Sequence, residues 1–598
     1  MISRMEDNCE ILFFGDEITE NTVPQFESEL LERYSEDEFN LSTNIIPGGT
    51  SEAAKNNFDS IDTSTFDVIV IDFGFYDWKT GISPSILRQN LSEIVTNCLD
   101  KNLRVILSTI HPVEARVLLG TTSVDAEYND VIRELAEEHR IRVADVHRWW
   151  EEKALFNNRY LTEGGEPNSK GTVLTAEAFS HVVPQSHTVI LWQFNGRANA
   201  NCNYDCPYCY YPTANENFSF GSPSEWKKVF QNAFGDQNLV FYFTFAEPTI
   251  AREFFEYVEM IGSVPNWELR ITTNLSLPPK SLEKLANTKL ANEDRLHINA
   301  SFHPSQTSID DFLERHRILR ENGIEAPVIY VMYPPQIDVF EEHFEKFDER
   351  DILVHVRPYQ GEGYPAAYTD QQRRQIAKYT DSATIRYVLN RKPPFDRHTY
   401  AGLHFYIADA AGNIGYDSNS FQWHTRFRTI YGNLLQYNSL DFPTIPPKYP
   451  KGDYPKTVDG VSNLLEVDYK QLEANNVLSY AEQGGVYRSE DGVVYGNKEK
   501  DFEDSSTRAQ YYFPSRNLRD AFQKFRLFGP KNSLKYVWLK YVDKRIQLYF
   551  KHTQQTYETD GVGGVFKRAY RHLREGLHGS EEMEREVVKN PLNDSNDR

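Results

Sequence analysis

Cysteine is scarce in this chain, with five in 598 residues. That is too few for a disulfide framework, and a chain long enough for three or four cored domains does not need one. Long hydrophobic runs are missing too. No stretch approaches the roughly 20 apolar residues that span a bilayer, and the opening Met1-Ile-Ser-Arg-Met-Glu6 lacks the apolar centre of a signal peptide. The expectation is a cytoplasmic protein. Basic charge is also short: 64 Lys and Arg against 87 Asp and Glu leave a formal net charge of −23. Generic nucleic-acid binding needs a basic surface, so no nucleic-acid partner is expected.

The few cysteines are unevenly placed. Three fall within Cys202-Asn-Tyr-Asp-Cys206-Pro-Tyr-Cys209, spaced x3 then x2. Thiolates this close cannot all bridge one another, and the spacing reads as that of metal ligands. Three of them can hold three irons of a 4Fe–4S cubane, which normally takes four cysteines, so one iron is left open to a small molecule. A zinc loop is the alternative, and it needs a fourth His or Asp ligand. Asn203 and Asp205 read as loop formers. Cys9 and Cys98 lie in apolar-periodic segments and read as buried, inert thiols.

The CxxxCxxC pattern, with Tyr208 before its last cysteine, resembles the radical S-adenosylmethionine (SAM) superfamily. The resemblance implies a 4Fe–4S cluster on Cys202, Cys206 and Cys209, whose open iron chelates SAM. It further implies reductive cleavage of SAM to a 5′-deoxyadenosyl radical, with a flavodoxin- or ferredoxin-type electron donor. Thr244-Phe245-Ala246-Glu247-Pro248-Thr249 is similar to the family's GGEP element, with both glycines replaced. This places Ala246, Glu247 and Pro248 beside the SAM amino group. Thr272-Thr273-Asn274 resembles the TN element, Ser301 falls where a ribose-binding hydroxyl is common, and Tyr208 is assigned to the adenine. His303, His355, Arg357 and Tyr359 fall at or near strand ends, in substrate-facing or supporting positions.

The periodicity agrees with that placement. Strands are expected at Val189–Phe194, Leu239–Phe245, Glu268–Thr273, Leu296–Phe302, Pro327–Tyr333 and Ile352–Pro358, with helices between them. Six consecutive βα units over 186–385 make a (βα)6 partial TIM barrel, whose functional groups gather at the C-terminal strand ends. The cysteine loop follows the first strand.

Residues 1–185 read as a separate doubly wound, flavodoxin-like α/β domain. The segment Cys9–Thr19 reads as a buried strand running into a tight Gly-Asp turn, and Phe66–Asp72 and Leu103–Thr109 carry the continuous apolar runs of further parallel strands. Phe14-Gly-Asp-Glu-Ile-Thr19 resembles the GDS block of the SGNH (GDSL) hydrolases, Gly74-Phe-Tyr-Asp77 their GxND block, and Glu163-Gly-Gly-Glu166-Pro-Asn their DxxHP-N block. Every catalytic position departs from the family: Glu17 replaces the serine, Tyr76 the asparagine, and Glu163 and Glu166 the triad Asp and His. A carboxylate cannot serve as the acyl-transfer nucleophile there, and no imidazole sits at the matching position to act as base. The expectation is an inactive domain retained for binding or docking. His147 reads as a packing or surface residue.

Residues 386–450 resemble a SPASM/Twitch segment in His398-Thr399-Tyr-Ala401-Gly402, Asp409 to Asp417 and Gly432-Asn433-Leu434. Thr399 and Asp417 stand where that pattern has cysteines, and none follows Cys209. No auxiliary cluster is therefore expected, and its β-hairpin is read as a lid over the barrel mouth. Residues 451–515 are an unassigned wrapping region, and 576–598 a polar, disordered tail, so the C-terminal part is read as a small α+β or helical region. Between these, 516–575 hold 14 Lys or Arg against five Asp or Glu. Trp538, Tyr541, Leu548 and Tyr549 recur there at helical spacing, so this basic helix either packs on its own acidic protein or meets a peripheral membrane or acidic partner.

The leading function is a radical SAM enzyme acting on an unidentified substrate, with a glycan or surface-polymer precursor inferred from the SGNH-like domain. A peptide-modifying radical SAM enzyme and a non-catalytic iron–sulfur scaffold are the alternatives.

Overall fold

A computed structural model describes residues 9–31, 39–113, 124–154, 159–194, 202–209, 222–244, 246–359, 364–380, 384–389, 398, 402–409, 412–416 and 429–447. The wrapping region, basic helix and polar tail, together with Phe245, Thr399 and Asp417, lie outside them.

The first sheet comprises β1 (Cys9–Gly15), β2 (Phe39–Ile45), β3 (Val68–Asp72), β4 (Arg104–Ser108) and β5 (Arg142–Ala144). All its pairings are parallel, in the order β2-β1-β3-β4-β5. This is the flavodoxin-like doubly wound arrangement, whose ligand crevice lies beyond the strand ends where the order reverses, between β1 and β3. The continuous apolar runs are explained by helices on both faces. Leu12, Phe14, Ile69 and Ile71 feed one core, while Ile11, Phe13, Val68 and Val70 feed the other.

The second sheet begins with β6 (His187–Trp192), β7 (Asn238–Phe243), β8 (Trp267–Thr273), β9 (Leu296–Phe302), β10 (Val328–Met332) and β11 (Val354–Pro358). These six pair in sequence order and in parallel, as a partial barrel requires. Strands β8, β9 and β11 alternate strictly between buried and partly exposed residues. The partly exposed set is polar: Glu268, Arg270, Thr272, His297, Asn299, Ser301, His355 and Arg357. One face of the strands packs on helices, and the other forms an open polar trough.

Three further strands extend this sheet. Strand β12 (Phe405–Ala408) runs parallel beside β6, followed by antiparallel β13 (Asn413–Tyr416) and β14 (Thr429–Asn433). The hairpin of the SPASM/Twitch-like segment is thus built onto the sheet edge and not laid across the mouth. The physical reason is the open backbone edge of β6, which β12 covers. The hairpin tip, 417–428, is outside the described residues.

Polar contacts join the two α/β parts. Arg142 Nη2 donates to Thr188 Oγ1 (3.0 Å), Gln237 Nε2 donates to Arg140 O (2.9 Å), and His404 Nε2 bonds His181 O (2.8 Å). Thr444 Oγ1 donates to Asp145 Oδ2 at 2.5 Å.

Candidate functional site

The cysteine loop lies in the connection after β6 and is pinned to two neighbouring strand ends. Asn203 Oδ1 accepts from Asn274 Nδ2 (3.1 Å) and Ser276 Oγ (3.2 Å), both just beyond β8. Gln306, beyond β9, donates to Asp205 O (2.8 Å) and accepts from Asp205 N (3.1 Å). Within the loop, Cys209 N donates to Cys206 O (2.9 Å) and Tyr204 N approaches Cys202 Sγ (3.4 Å). Asn203 is therefore more than a loop former.

Cys202 and Cys206 are half-buried and Cys209 is exposed. Burial pushes the Cys202 thiol up to about 11 and the Cys206 thiol up to about 12, with the neighbouring thiolates adding to both. Three sulfurs that feel one another's charge suit a positively charged centre, which would offset the cost of ionising them. Among the described residues, no group of three or more His, Cys, Asp or Glu converges to hold a metal ion. A cubane binds each thiolate through a different iron, so convergence on one point is not what a cluster requires.

Glu247 is the polar hub under this loop. It is 1% exposed. Oε1 accepts from Thr249 N (3.2 Å), Thr249 Oγ1 and Thr273 Oγ1 (2.7 Å), while Oε2 accepts from Asn274 N (2.6 Å). Burial raises its pKa and these bonds oppose the rise. The carboxylate thereby ties the end of β7 to the end of β8. Ala246, ahead of it, takes φ 50, the left-handed backbone that glycine adopts freely. Leu275, after Asn274, is also left-handed at φ 54.

Tyr208 is buried, and its hydroxyl shares a 2.7 Å hydrogen bond with His303 Nδ1. Its ring stacks on His303 (centroids 5.8 Å apart) and packs on Tyr333 (5.2 Å). Burial pushes His303 down to about 4, so the imidazole is neutral. Pro248 is buried, and Ser301 lies in the trough of β9 in register with Ile329 of β10, which in turn faces His355 of β11. The fold thus brings Asn274 onto the loop, with Glu247 one hydrogen bond behind it, and sets Ser301, His355 and Arg357 along the trough.

The first domain has its own polar group at the strand ends. Glu17 Oε2 accepts from Gly48 N at 2.5 Å and Oε1 accepts from the Tyr76 hydroxyl, which hold the carboxyl below its ordinary value against the opposing effect of partial burial. Lys79 bridges to Glu166 Oε1 (2.6 Å) and sits 5.2 Å from the Tyr76 ring centre. Glu163 is exposed. Beneath them Asp16 and Asp72 share a small cavity with Ser108, Thr109 and His111. Burial, then the charge of Asp72, raises Asp16 well above the usual carboxylate range. His111, which the sequence reading missed, bonds Gly165 O at 2.8 Å, and burial pushes it down to about 4. His147 is mostly buried, with Nε2 3.4 Å from Asp125 Oδ2.

A parallel half-barrel carrying three cysteines after its first strand defines a class: barrel enzymes that work at the C-terminal strand edge. Residues 199–347 match the family model described as the radical SAM superfamily, and residues 13–174 match the GDSL-like lipase/acylhydrolase family. The chain carries a radical SAM domain behind a GDSL-like domain, and the radical SAM domain marks it as an enzyme. No curated protein matches the chain. Among solved structures, Axe2, an acetylxylan esterase from Geobacillus stearothermophilus, is 19% identical, covering 30% of this chain and 94% of its own with a TM-score of 0.28. LAE5, an alpha/beta hydrolase from the metagenome of Lake Arreo, Spain, is 18% identical, covering 29% and 94% with a TM-score of 0.27.

Among the described residues, no helix is long and apolar enough to cross a membrane.

Proposed function

We propose that this chain reductively cleaves SAM and uses the resulting radical on a bound substrate. The observation that carries this is the fastening of the three-cysteine loop to the ends of β8 and β9 through Asn203 and Asp205. Cys202, Cys206 and Cys209 would hold a 4Fe–4S cluster, which when bound supplies the electron that breaks the C5′–S bond to give the 5′-deoxyadenosyl radical. The chain's own residues bind and orient. Glu247 fixes the backbone around Ala246 and Pro248, Asn274 anchors the loop, Ser301 offers a hydroxyl to the ribose, and Tyr208 walls the adenine side. The trough of β8–β11 receives the substrate and limits water around it.

Residues 1–185 act in this reading as a binding domain without hydrolase chemistry. Glu17 stands at the position of the hydrolase serine, and its carboxylate takes the Gly48 N–H and the Tyr76 hydroxyl, so this residue offers no serine-type nucleophile. The substrate class is a glycan or surface-polymer precursor, by analogy with acylated carbohydrate on that fold. A cytoplasmic setting and a flavodoxin- or ferredoxin-type donor complete the proposal.

Anaerobic, iron-reconstituted protein given SAM and dithionite should form 5′-deoxyadenosine. Colourless protein with stoichiometric zinc and no 5′-deoxyadenosine would overturn the proposal and leave a non-catalytic scaffold.

A further inference from the structure

A line of tyrosines leads away from the cysteine loop. Tyr208, between Cys206 and Cys209, packs on Tyr333 (ring centroids 5.2 Å), Tyr333 on Tyr359 (5.2 Å), and Tyr359 on Tyr364 (5.0 Å). Buried Tyr368 packs on Tyr364 at 5.0 Å, and its hydroxyl donates to Met332 O while accepting from Tyr359 N (2.7 Å). That clamp fixes Tyr359 relative to the end of β10. The four rings of the line come from the loop after β6, the end of β10, the end of β11 and the loop that follows, so only the fold brings them together.

Packing alone does not ask for this choice of residue. Where aromatic rings fill the space between the barrel's strands and helices, Phe and Trp predominate, as in Phe230, Phe241, Trp267, Phe302, Phe312 and Phe347. The line from the loop is all tyrosine. A phenol differs from a phenyl ring in giving up one electron and one proton together, and the Tyr208 hydroxyl shares a hydrogen bond of 2.7 Å with an imidazole able to relay protons, His303 Nδ1. Tyr208 and Tyr368 are buried, while Tyr333, Tyr359 and Tyr364 are half-buried, so the line runs from one buried ring to rings that meet solvent.

We propose that Tyr208, Tyr333, Tyr359 and Tyr364 form a discharge path that carries an oxidising equivalent away from the cysteine loop when a radical there meets no substrate. The proposal rests on the radical SAM reading for its natural oxidant, a primary carbon-centred radical. In the first step the carbon radical gains one electron and one proton and becomes a methyl group. Tyr208 loses one electron and its hydroxyl proton and becomes a neutral phenoxyl. Tyr333 then supplies an electron across the ring contact and releases its hydroxyl proton to solvent, while one proton from solvent reaches the Tyr208 oxygen through His303. Repetition moves the phenoxyl to Tyr359 and Tyr364. There a thiol in solution returns one electron and one proton, and the thiyl it becomes pairs to a disulfide. The path protects the loop and its ligands from covalent damage during unproductive turnover.

Two arms on the full-length chain test this. In the first, reconstituted protein reacts with SAM and dithionite without substrate, and freeze-quench EPR looks for a tyrosyl signal that narrows when the protein carries ring-deuterated tyrosine. Tyr333→Phe should hold the signal on Tyr208 with a several-fold longer life and should hasten self-inactivation. In the second, a ruthenium photo-oxidant attached to exposed Cys209 in cluster-free protein is fired by a flash. Tyrosyl absorption should appear and should decay more slowly in Tyr333→Phe and Tyr359→Phe than in the parent. If neither phenylalanine variant alters signal or decay in this arm, the path is wrong, whatever the first arm gives. If 5′-deoxyadenosine forms with no tyrosyl signal and unchanged inactivation, the path also falls while the radical SAM reading stands. A flash response that depends on Tyr333 without 5′-deoxyadenosine formation would uphold the path and remove that reading.

Discussion

Thr273 Oγ1 donates to Glu247 Oε1 at 2.7 Å, joining the last residue of β8 to the residue that opens the turn beyond β7. Every other bond to that carboxylate also arrives from a donor, two of them backbone N–H groups. Glu247→Gln replaces one acceptor oxygen by an NH2 group that must face a donor. The expected cost is about 1–3 kcal/mol, the penalty of a buried polar group left unmatched. Urea unfolding of the full chain measures it, and an unchanged midpoint would remove Glu247 from its place as hub.

Ala246 holds a left-handed φ of 50 that its Cβ disfavours. Ala246→Gly relieves this strain at the expense of a looser unfolded chain, and the balance is a gain of up to about 1 kcal/mol. Ala246→Val should lose stability, since branching at Cβ worsens the same clash. Melting temperatures in the order Gly, Ala, Val confirm the backbone state; the reverse order contradicts it.

Iron content separates the cluster cysteines from the buried ones. Anaerobic reconstitution should load about four irons per chain, as one cubane holds, and give a broad charge-transfer band. Cys206→Ala should abolish the band, and Cys98→Ala should leave it, because Cys98 is wholly buried in the core of the first domain. A count near eight would instead reveal a second cluster.

Acid titration should single out Asp16. Burial and Asp72 raise its folded pKa, whereas the unfolded value stays near the ordinary one of about 3.9. A raised acid binds its proton more tightly folded than unfolded. Its contribution is therefore fully present below the unfolded value and is lost as pH rises through the folded one. Asp16→Asn keeps an acceptor for Ile18 N and removes that dependence. The variant should be the more stable protein at neutral pH, with the difference shrinking toward acid, as read by melting temperature across that range.

Much of the architecture was legible because it is written in local periodicity. The apolar runs of β1, β3 and β4 and the alternation of β9 each mark a strand by themselves, and Leu296–Phe302 is found with the expected ends. The cysteine spacing likewise needs only eight consecutive residues. The links that fasten the loop were not legible. Asn203 with Asn274, Asp205 with Gln306, and Tyr208 with His303 are polar contacts between residues about 70 to 100 positions apart, and no single segment carries a mark of them. The union of β12 with β6 has no local mark for the same reason: a free strand edge belongs to the folded sheet and not to either sequence.

The seam between the two α/β parts sets a practical boundary. Arg142 is half-buried, and it reaches Thr188 beyond the end of the first domain, while His404 arrives from more than two hundred residues downstream to meet the carbonyl of His181. Cutting the gene after residue 185 would strip these partners from their mates. The hydrolase-like module is thus a poor candidate for life as an excised fragment.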